Sequence, residues 1–144
     1  RLTLLESTAK KAAFLHHIVD RLSLTNVRIV TARAEEAGQK TEHREQYDVA
    51  IARAVSALPA LVEYTLPLVK VGGLVIAQKG QDPAAEVNDA ARALGILGGK
   101  IRQVMPVTVT GLETAARHLV IMQKIKPTPK RYPRRPGLPA KKSI

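Results

Sequence analysis

Cysteine and tryptophan are absent from the chain, and its aromatic residues are one Phe and three Tyr. Without cysteine there are no disulfides and no thiolate zinc sites, which agrees with a reducing, cytoplasmic setting. With so few aromatics, a core must be built from Leu, Val, Ile and Ala. No apolar run approaches the roughly 18 residues of a membrane span, so no membrane association is expected. No signal peptide is visible. A chain of 144 residues is one domain or part of one.

Acid is missing from one stretch in particular. Residues 124–144 carry eight basic side chains and no Asp or Glu. The other 123 residues hold 15 basic and 12 acidic groups, so most of the net charge of +11 sits at one end. This asymmetry predicts a nearly neutral body, residues 1–123, and a cationic arm, residues 124–144, for a polyanionic partner. Pro127, Pro129, Pro133, Pro136 and Pro139 forbid regular helix or central strand there and predict an extended conformation. A disordered tail with no partner is the plainer reading.

What is present reads as alternating strands and helices. Arg1–Glu6 is a short apolar strand ending in an acid. Leu15, Ile18, Val19 and Leu22 recur at helical spacing, with Ser7 or Thr8 as the cap. Val27–Val30 is a strand, followed by Arg33-Ala34-Glu35-Glu36 and a polar loop at 38–46. Tyr47–Ala52 is a strand that stops at Arg53. Residues 59–69 read as a helix, Val71-Gly72-Gly73 as a turn, and Leu74–Gln78 as a strand ending at Lys79-Gly80. Pro83 opens a helix through about Leu97. Lys100–Val109 and His118–Gln123 read as two more strands around a loop at Gly111. The alternation predicts an α/β fold with a partly parallel sheet and an antiparallel hairpin at one edge.

Ligands in such sheets bind at the carboxyl ends of the strands. Glu6, Arg33 to Glu36, Arg53 and Lys79 all fall there, so they are expected along one rim. Glu6 suits the two hydroxyls of a ribose, although a strand-end acid is as often merely solvated. The backbone at Ala34-Glu35 suits an adenine edge, or is an ordinary helix start with acids in its first turn. Arg53 suits a carboxylate or a phosphate, and Lys79 is a similar candidate; either is otherwise a surface cation. Arg117-His118 precedes the last strand, where His118 is a general base or a structural histidine. His16 and His17 lie largely off the apolar face and read as solvated. No nucleophile motif, metal-ligand cluster or paired carboxylate is found.

Seven segments together, Leu5-Glu6-Ser7 with Lys10-Lys11 and Phe14-Leu15, Arg33–Glu36, Ala52–Val55, Val71–Gly73, Lys79-Gly80, Arg117–Val120 and Tyr132-Pro133-Arg134-Arg135-Pro136-Gly137, resemble the small-subunit ribosomal RNA methyltransferase G family, also called glucose-inhibited division protein B. The resemblance runs in order over essentially the whole chain. It implies a class I, Rossmann-like methyltransferase fold, S-adenosyl-L-methionine as cofactor, and methylation of a guanine N7 in small-subunit ribosomal RNA or a ribosomal particle. Carried over, Glu6, Ser7 and Thr8 line the ribose side, Ala34 and Glu35 the adenine side, and Arg53 the cofactor or target side. Lys79 and Arg117 face RNA or substrate. The tail cations Lys130, Arg131, Arg134, Arg135, Lys141 and Lys142 are then the RNA contacts, and a monomer is expected.

The resemblance also implies leading helices, a first strand and a glycine-rich loop ahead of Arg1. That strand would pair beside the Glu6 strand and the Tyr47–Ala52 strand. On this reading both strands keep an unpaired inner edge, and these residues alone are expected to be inactive. Two other readings remain at the level of sequence. A nicotinamide-dependent oxidoreductase also carries an acid at this strand end, but gives the basic tail no task. A non-catalytic RNA-binding module explains the tail, but lacks aromatic stacking platforms.

Overall fold

The computed structural model describes residues 1–80, 82–108 and 117–144. Strands β1 (Leu2–Glu6) and β2 (Val27–Thr31) form a parallel pair, in register from Leu2 beside Val27 to Glu6 beside Thr31. Helix α1 (Ala9–Arg21) connects them. Thr8 occupies its N-cap position without a side-chain capping bond. The Glu6 carboxylate takes the Thr8 N–H instead, at 2.7 Å. Ala12 is buried, while Leu15, Ile18 and Val19 are half-buried. Leu22, expected on the same apolar stripe, is exposed at the helix end, and so is Phe14.

A short helix α2 (Ala34–Ala37) leads to a second sheet. It contains β3 (Tyr47–Arg53), β4 (Val69–Lys79), β5 (Gly99–Val107) and β6 (Arg117–Lys124), in the order β3-β4-β6-β5. The β3–β4 pair is parallel, and β6 runs antiparallel to both its neighbours. Helix α3 (Leu58–Thr65), a 3-10 turn at Leu66–Leu68, and helix α4 (Ala84–Leu97) pack on one face of this sheet. Their contact is the core: Val75, Ala77, Val120 and Met122 from the strands meet Leu58, Val62, Leu66, Ala90, Ala93 and Leu97. Each fully buried Leu, Val or Met side chain contributes about 1.5–3 kcal/mol. The small residues Ala90 and Ala93 let α4 approach closely.

Among the described residues no ladder joins the two sheets, so β1 and β3 each keep one unpaired edge. Along β3 the side chains opposite the core are open to solvent, with Ile51 76% exposed.

Two local expectations are corrected. Val71-Gly72-Gly73 is no turn before a strand. It is an irregularity inside β4, where the partners move from Tyr47–Val69 to Val49–Leu74. Gly73 is required there, because a Cβ would stand 2.5 Å from the Asp48 carbonyl oxygen. The expected helix at 59–69 is also shorter, since Pro67 favours the 3-10 turn that follows α3. The last residue of the expected 100–109 strand and the loop at Gly111 lie outside the described residues.

The basic tail is the larger correction. It is packed on the body by polar anchors, not extended from it. Lys124 is fully buried, and its Nζ donates to Leu66 O and Thr128 Oγ1 at 2.6 Å each, beside Glu45 at 3.0 Å. Thr128 Oγ1 in turn donates to Leu97 O at 2.7 Å. The Arg44 guanidinium gathers the carbonyls of Gly38, Thr128, Pro129 and Tyr132. A one-turn helix α5 (Leu138–Lys141) even forms, with Pro139 in its first turn, where its missing N–H costs nothing. Prolines kept the segment out of regular sheet and long helix, but they did not prevent side-chain and carbonyl anchoring.

Candidate active site

The carboxyl ends of β3 and β4 open on a cleft of about 450 Å³. Arg53, Gln78, Lys79, Gly80, Glu86 and Arg117 stand in its wall. Arg53 and Lys79, expected at the rim, and Arg117, which the resemblance turns toward RNA or substrate, are therefore brought together.

Their roles differ. Arg53 is exposed, and its guanidinium makes no hydrogen bond or ion pair among the described residues. Ala54, directly after it, holds a left-handed φ of +54°, which for a residue with a Cβ is unfavourable by roughly 1–2 kcal/mol. Lys79 does not face outward as a binding cation. Its Nζ lies 2.6 Å from Glu86 Oε2 and donates to Ser56 O at 2.9 Å. Alternation explains this: Val75, Ala77 and Lys79 share the core face of β4, which directs Lys79 toward α4. The Glu86 carboxyl is partly desolvated, which opposes ionisation. The Lys79 ammonium and the Leu58 N–H outweigh that and hold its pKa below the ordinary glutamate range.

His118 is half-buried, with Nδ1 3.1 Å from the Gly80 carbonyl oxygen. A carbonyl only accepts, so Nδ1 carries the proton in this contact and the ring is tethered. His16 and His17 are exposed, as expected.

The second group of candidates lies at the end of the β1–β2 pair. Glu6 holds the turn into α1 through one carboxylate oxygen, and the Thr8 N–H keeps its pKa below the usual range. The Thr8 hydroxyl and the Ser7 N–H act in the same direction. Ser7 and Thr8 are exposed beside it. Glu35, expected to offer its backbone, uses its side chain elsewhere. Its side chain is buried and turned toward the tail, where Oε1 accepts the Gly137 N–H at 2.8 Å. Only the backbone of Ala34 and Glu35 is thus available to a ligand. Glu6 does not line the cleft that holds Arg53.

The tail cations also divide. Lys130, Arg131, Arg135, Lys141 and Lys142 are exposed. Arg135 and Lys141 flank a shallow pocket of about 300 Å³, and the Arg131 guanidinium lies 5.2 Å from the Tyr132 ring centre. Arg134 is different, because Glu63 accepts its backbone N–H, Nε and Nη2 at 2.6–2.9 Å. It is a structural arginine. Glu63, Arg44, Glu45 and Glu86 were not singled out from sequence. Glu63 alone carried a signal: a lone acid inside an apolar helix needs a buried partner.

Among the described residues no helix is long and apolar enough to cross a membrane, and no three His, Cys, Asp or Glu side chains cluster as metal ligands.

Residues 1–120 match the family model described as rRNA small subunit methyltransferase G. The chain is 52% identical over 142 residues to the ribosomal RNA small subunit methyltransferase G of Roseiflexus castenholzii, covering 99% of this chain and 60% of that protein. It is 49% identical over 142 residues to that of Chloroflexus aggregans, covering 99% and 59%. The chain thus spans about 60% of the length of the curated relatives it matches. Among solved structures, a methyltransferase-like protein from Bacillus halodurans superposes with a TM-score of 0.64 at 10% identity, covering 88% of this chain and 84% of that one. One from Thermoplasma acidophilum gives 0.61 at 15%, covering 88% and 58%. At these identities the structures speak for the fold, which is that of class I methyltransferases.

Proposed function

This chain belongs to the rRNA small subunit methyltransferase G family, and on that premise we propose that it serves S-adenosylmethionine-dependent methylation of a guanine N7 in small-subunit ribosomal RNA. The observation that carries this reading is the family match over residues 1–120. The acid at the end of β1 and the arginine at the end of β3 agree with it.

The residues present fit the cofactor at one end. Glu6 is held ionised by the Thr8 N–H, and its carboxylate serves the ribose hydroxyls. The backbone of Ala34 and Glu35 serves the adenine edge. When bound, the cofactor supplies an electrophilic methyl group on a sulfonium. Guanine N7 presents a lone pair at neutral pH and loses no proton on attack, so this chain need not provide a base. Its residues contribute placement and exclusion of water. Methylation leaves the purine cationic, so a cation against N7 opposes the reaction. Arg53 therefore holds a phosphate, guanine O6 or the cofactor carboxylate, and Arg117 stands beside it in the cleft wall.

RNA phosphates are met by Lys130, Arg131, Arg135, Lys141 and Lys142, with Arg134 removed from that set. The segment 124–144 is then a basic surface built onto the body. A cytoplasmic monomer acting on ribosomal RNA or a ribosomal particle completes the reading.

The test is methyl transfer by the full-length protein from labelled S-adenosylmethionine to small-subunit RNA and to small ribosomal subunits lacking the modification. Strand scission specific for 7-methylguanine should follow. Label on another atom, or none, would refute the assignment. Arg53→Ala should weaken cofactor or RNA binding about tenfold; lost transfer with both affinities intact would remove its proposed holding role.

A further inference from the structure

Helix α3 begins without a cap of its own. Ala57 occupies the N-cap position and has no side-chain acceptor, and Pro59 has no N–H to place. Leu58 is completely buried, so its N–H needs a partner from elsewhere. Glu86 provides it from the first turn of α4, where Oε2 accepts the Leu58 N–H at 2.7 Å. The same oxygen is 2.6 Å from Lys79 Nζ, which donates to the Ser56 carbonyl at 2.9 Å. One carboxylate and one ammonium, from α4 and β4, hold both sides of the Ser56-Ala57-Leu58 turn.

That turn connects Arg53 to α3. Ala54, between Arg53 and that turn, keeps a left-handed conformation that persists only when its surroundings impose it. The Lys79 side chain is only 11% exposed. Two of the three N–H donors of its ammonium are engaged by the Glu86 carboxylate and the Ser56 carbonyl, and a phosphate approaching the third would meet the negative charge of Glu86.

We infer that Lys79 and Glu86 are a positioning pair: they fix residues 54–58, and through them the place of the Arg53 guanidinium, and neither binds RNA or cofactor. This deepens the proposed methyl transfer and rests on it.

The test uses the full-length protein with Glu86→Ala, Glu86→Gln, Lys79→Met and the double variant Glu86→Ala/Lys79→Met. Glu86→Ala and Lys79→Met should each lower kcat/KM by up to about tenfold, through whichever affinity, for cofactor or for RNA, Arg53→Ala weakens. Glu86→Gln keeps an acceptor for the Leu58 N–H and should recover part of the rate. The double variant should be no slower than the worse single one, because both act on one turn. Amide exchange at Ala57 and Leu58 should accelerate in Glu86→Ala while Val75 and Ala77 in β4 stay protected. A raised KM for RNA with a salt slope reduced by about one in Lys79→Met alone would show a phosphate contact and overturn the inference. Unchanged exchange at Leu58 would overturn it as well. If Glu86→Ala does not fold, Lys79→Met and Glu86→Gln decide by the same readouts. A wild-type protein that methylates no small-subunit RNA would instead refute the proposed function, and the exchange comparison would still decide whether the pair holds the turn.

Discussion

Glu63 and Arg134, 71 positions apart in the sequence, form a two-pronged ion pair between the middle of α3 and the tail. The Glu63 carboxylate is fully buried and the Arg134 side chain 21% exposed, so the two partners are not equivalent. The carboxylate raises the Arg134 pKa above the ordinary arginine value, ahead of a smaller opposing effect of desolvation.

Removing the arginine strands a buried charge, whereas removing the carboxylate frees an arginine that can reach water. Arg134→Met should therefore cost about 3–5 kcal/mol. Glu63→Gln, which keeps an acceptor for the Arg134 N–H, should cost about 1–2 kcal/mol. Urea unfolding of the two variants checks the order; equal losses would contradict it.

The Glu45–Lys124 pair predicts an acid limb. Burial opposes ionisation of Glu45, but the Thr128 N–H and Lys124 outweigh it and lower the pKa. A lowered carboxylate pKa stabilises above the ordinary glutamate value, and that contribution is lost as pH falls through the folded-state value. Burial lowers the Lys124 pKa despite Glu45. The charged lysine therefore costs stability at neutral pH, and that cost fades as pH rises toward the ordinary lysine value. Both groups make stability rise with pH, in separate windows. Urea midpoints measured from about pH 7 down to about pH 3 should fall less steeply in Glu45→Gln than in the wild type.

Gly98 ends α4 at φ +87°, and a Cβ there would stand 2.2 Å from the Lys126 carbonyl oxygen. Gly98→Ala should lower stability by more than the roughly 1–2 kcal/mol of the backbone conformation alone, since the start of the tail must also move. Gly95→Ala, in the same helix with open space around its Cβ, should be neutral or stabilising by up to about 1 kcal/mol. Thermal unfolding of the pair separates crowding from helix propensity.

The proposed RNA surface makes a salt prediction. Arg135→Ala/Lys141→Ala should reduce the slope of log affinity against log salt by about one to two, with little effect on stability. Arg134→Met should lower stability and, once refolded conditions are matched, leave that slope nearly unchanged. Equal slope changes in both would mean that the division of the tail cations is wrong.

Much of the fold was legible because it is local. Leu2–Glu6, Val27–Val30, Tyr47–Ala52 and Leu74–Gln78 are apolar runs of strand length, and all four appear as strands. Arg53 could be placed because it directly follows such a run. Lys79 was placed at its strand end, but its pairing with Glu86 was not legible, since a strand-end position does not reveal which face a neighbouring helix will cover. The Glu86 bond to Leu58 spans 28 positions, and the Glu45 bond to Thr128 spans 83. Neither leaves any periodicity. The tail misled most. Its composition describes what a proline-rich basic segment does alone, while its conformation is set by Glu35, Arg44, Glu45 and Glu63, far upstream.

Those four anchors give the order of synthesis a physical meaning. They are translated well before residues 124–142, so each waits for its partner while the rest of the chain emerges. Until Arg134 is made, α3 carries a carboxylate that has no counter-charge to bury against. Until Gly137 is made, the Glu35 side chain has no amide to take. A nascent chain halted before the tail would already own the residues of its apolar core but for Tyr132, and would expose to the chaperones two carboxylates, Glu35 and Glu63, whose partners are encoded last.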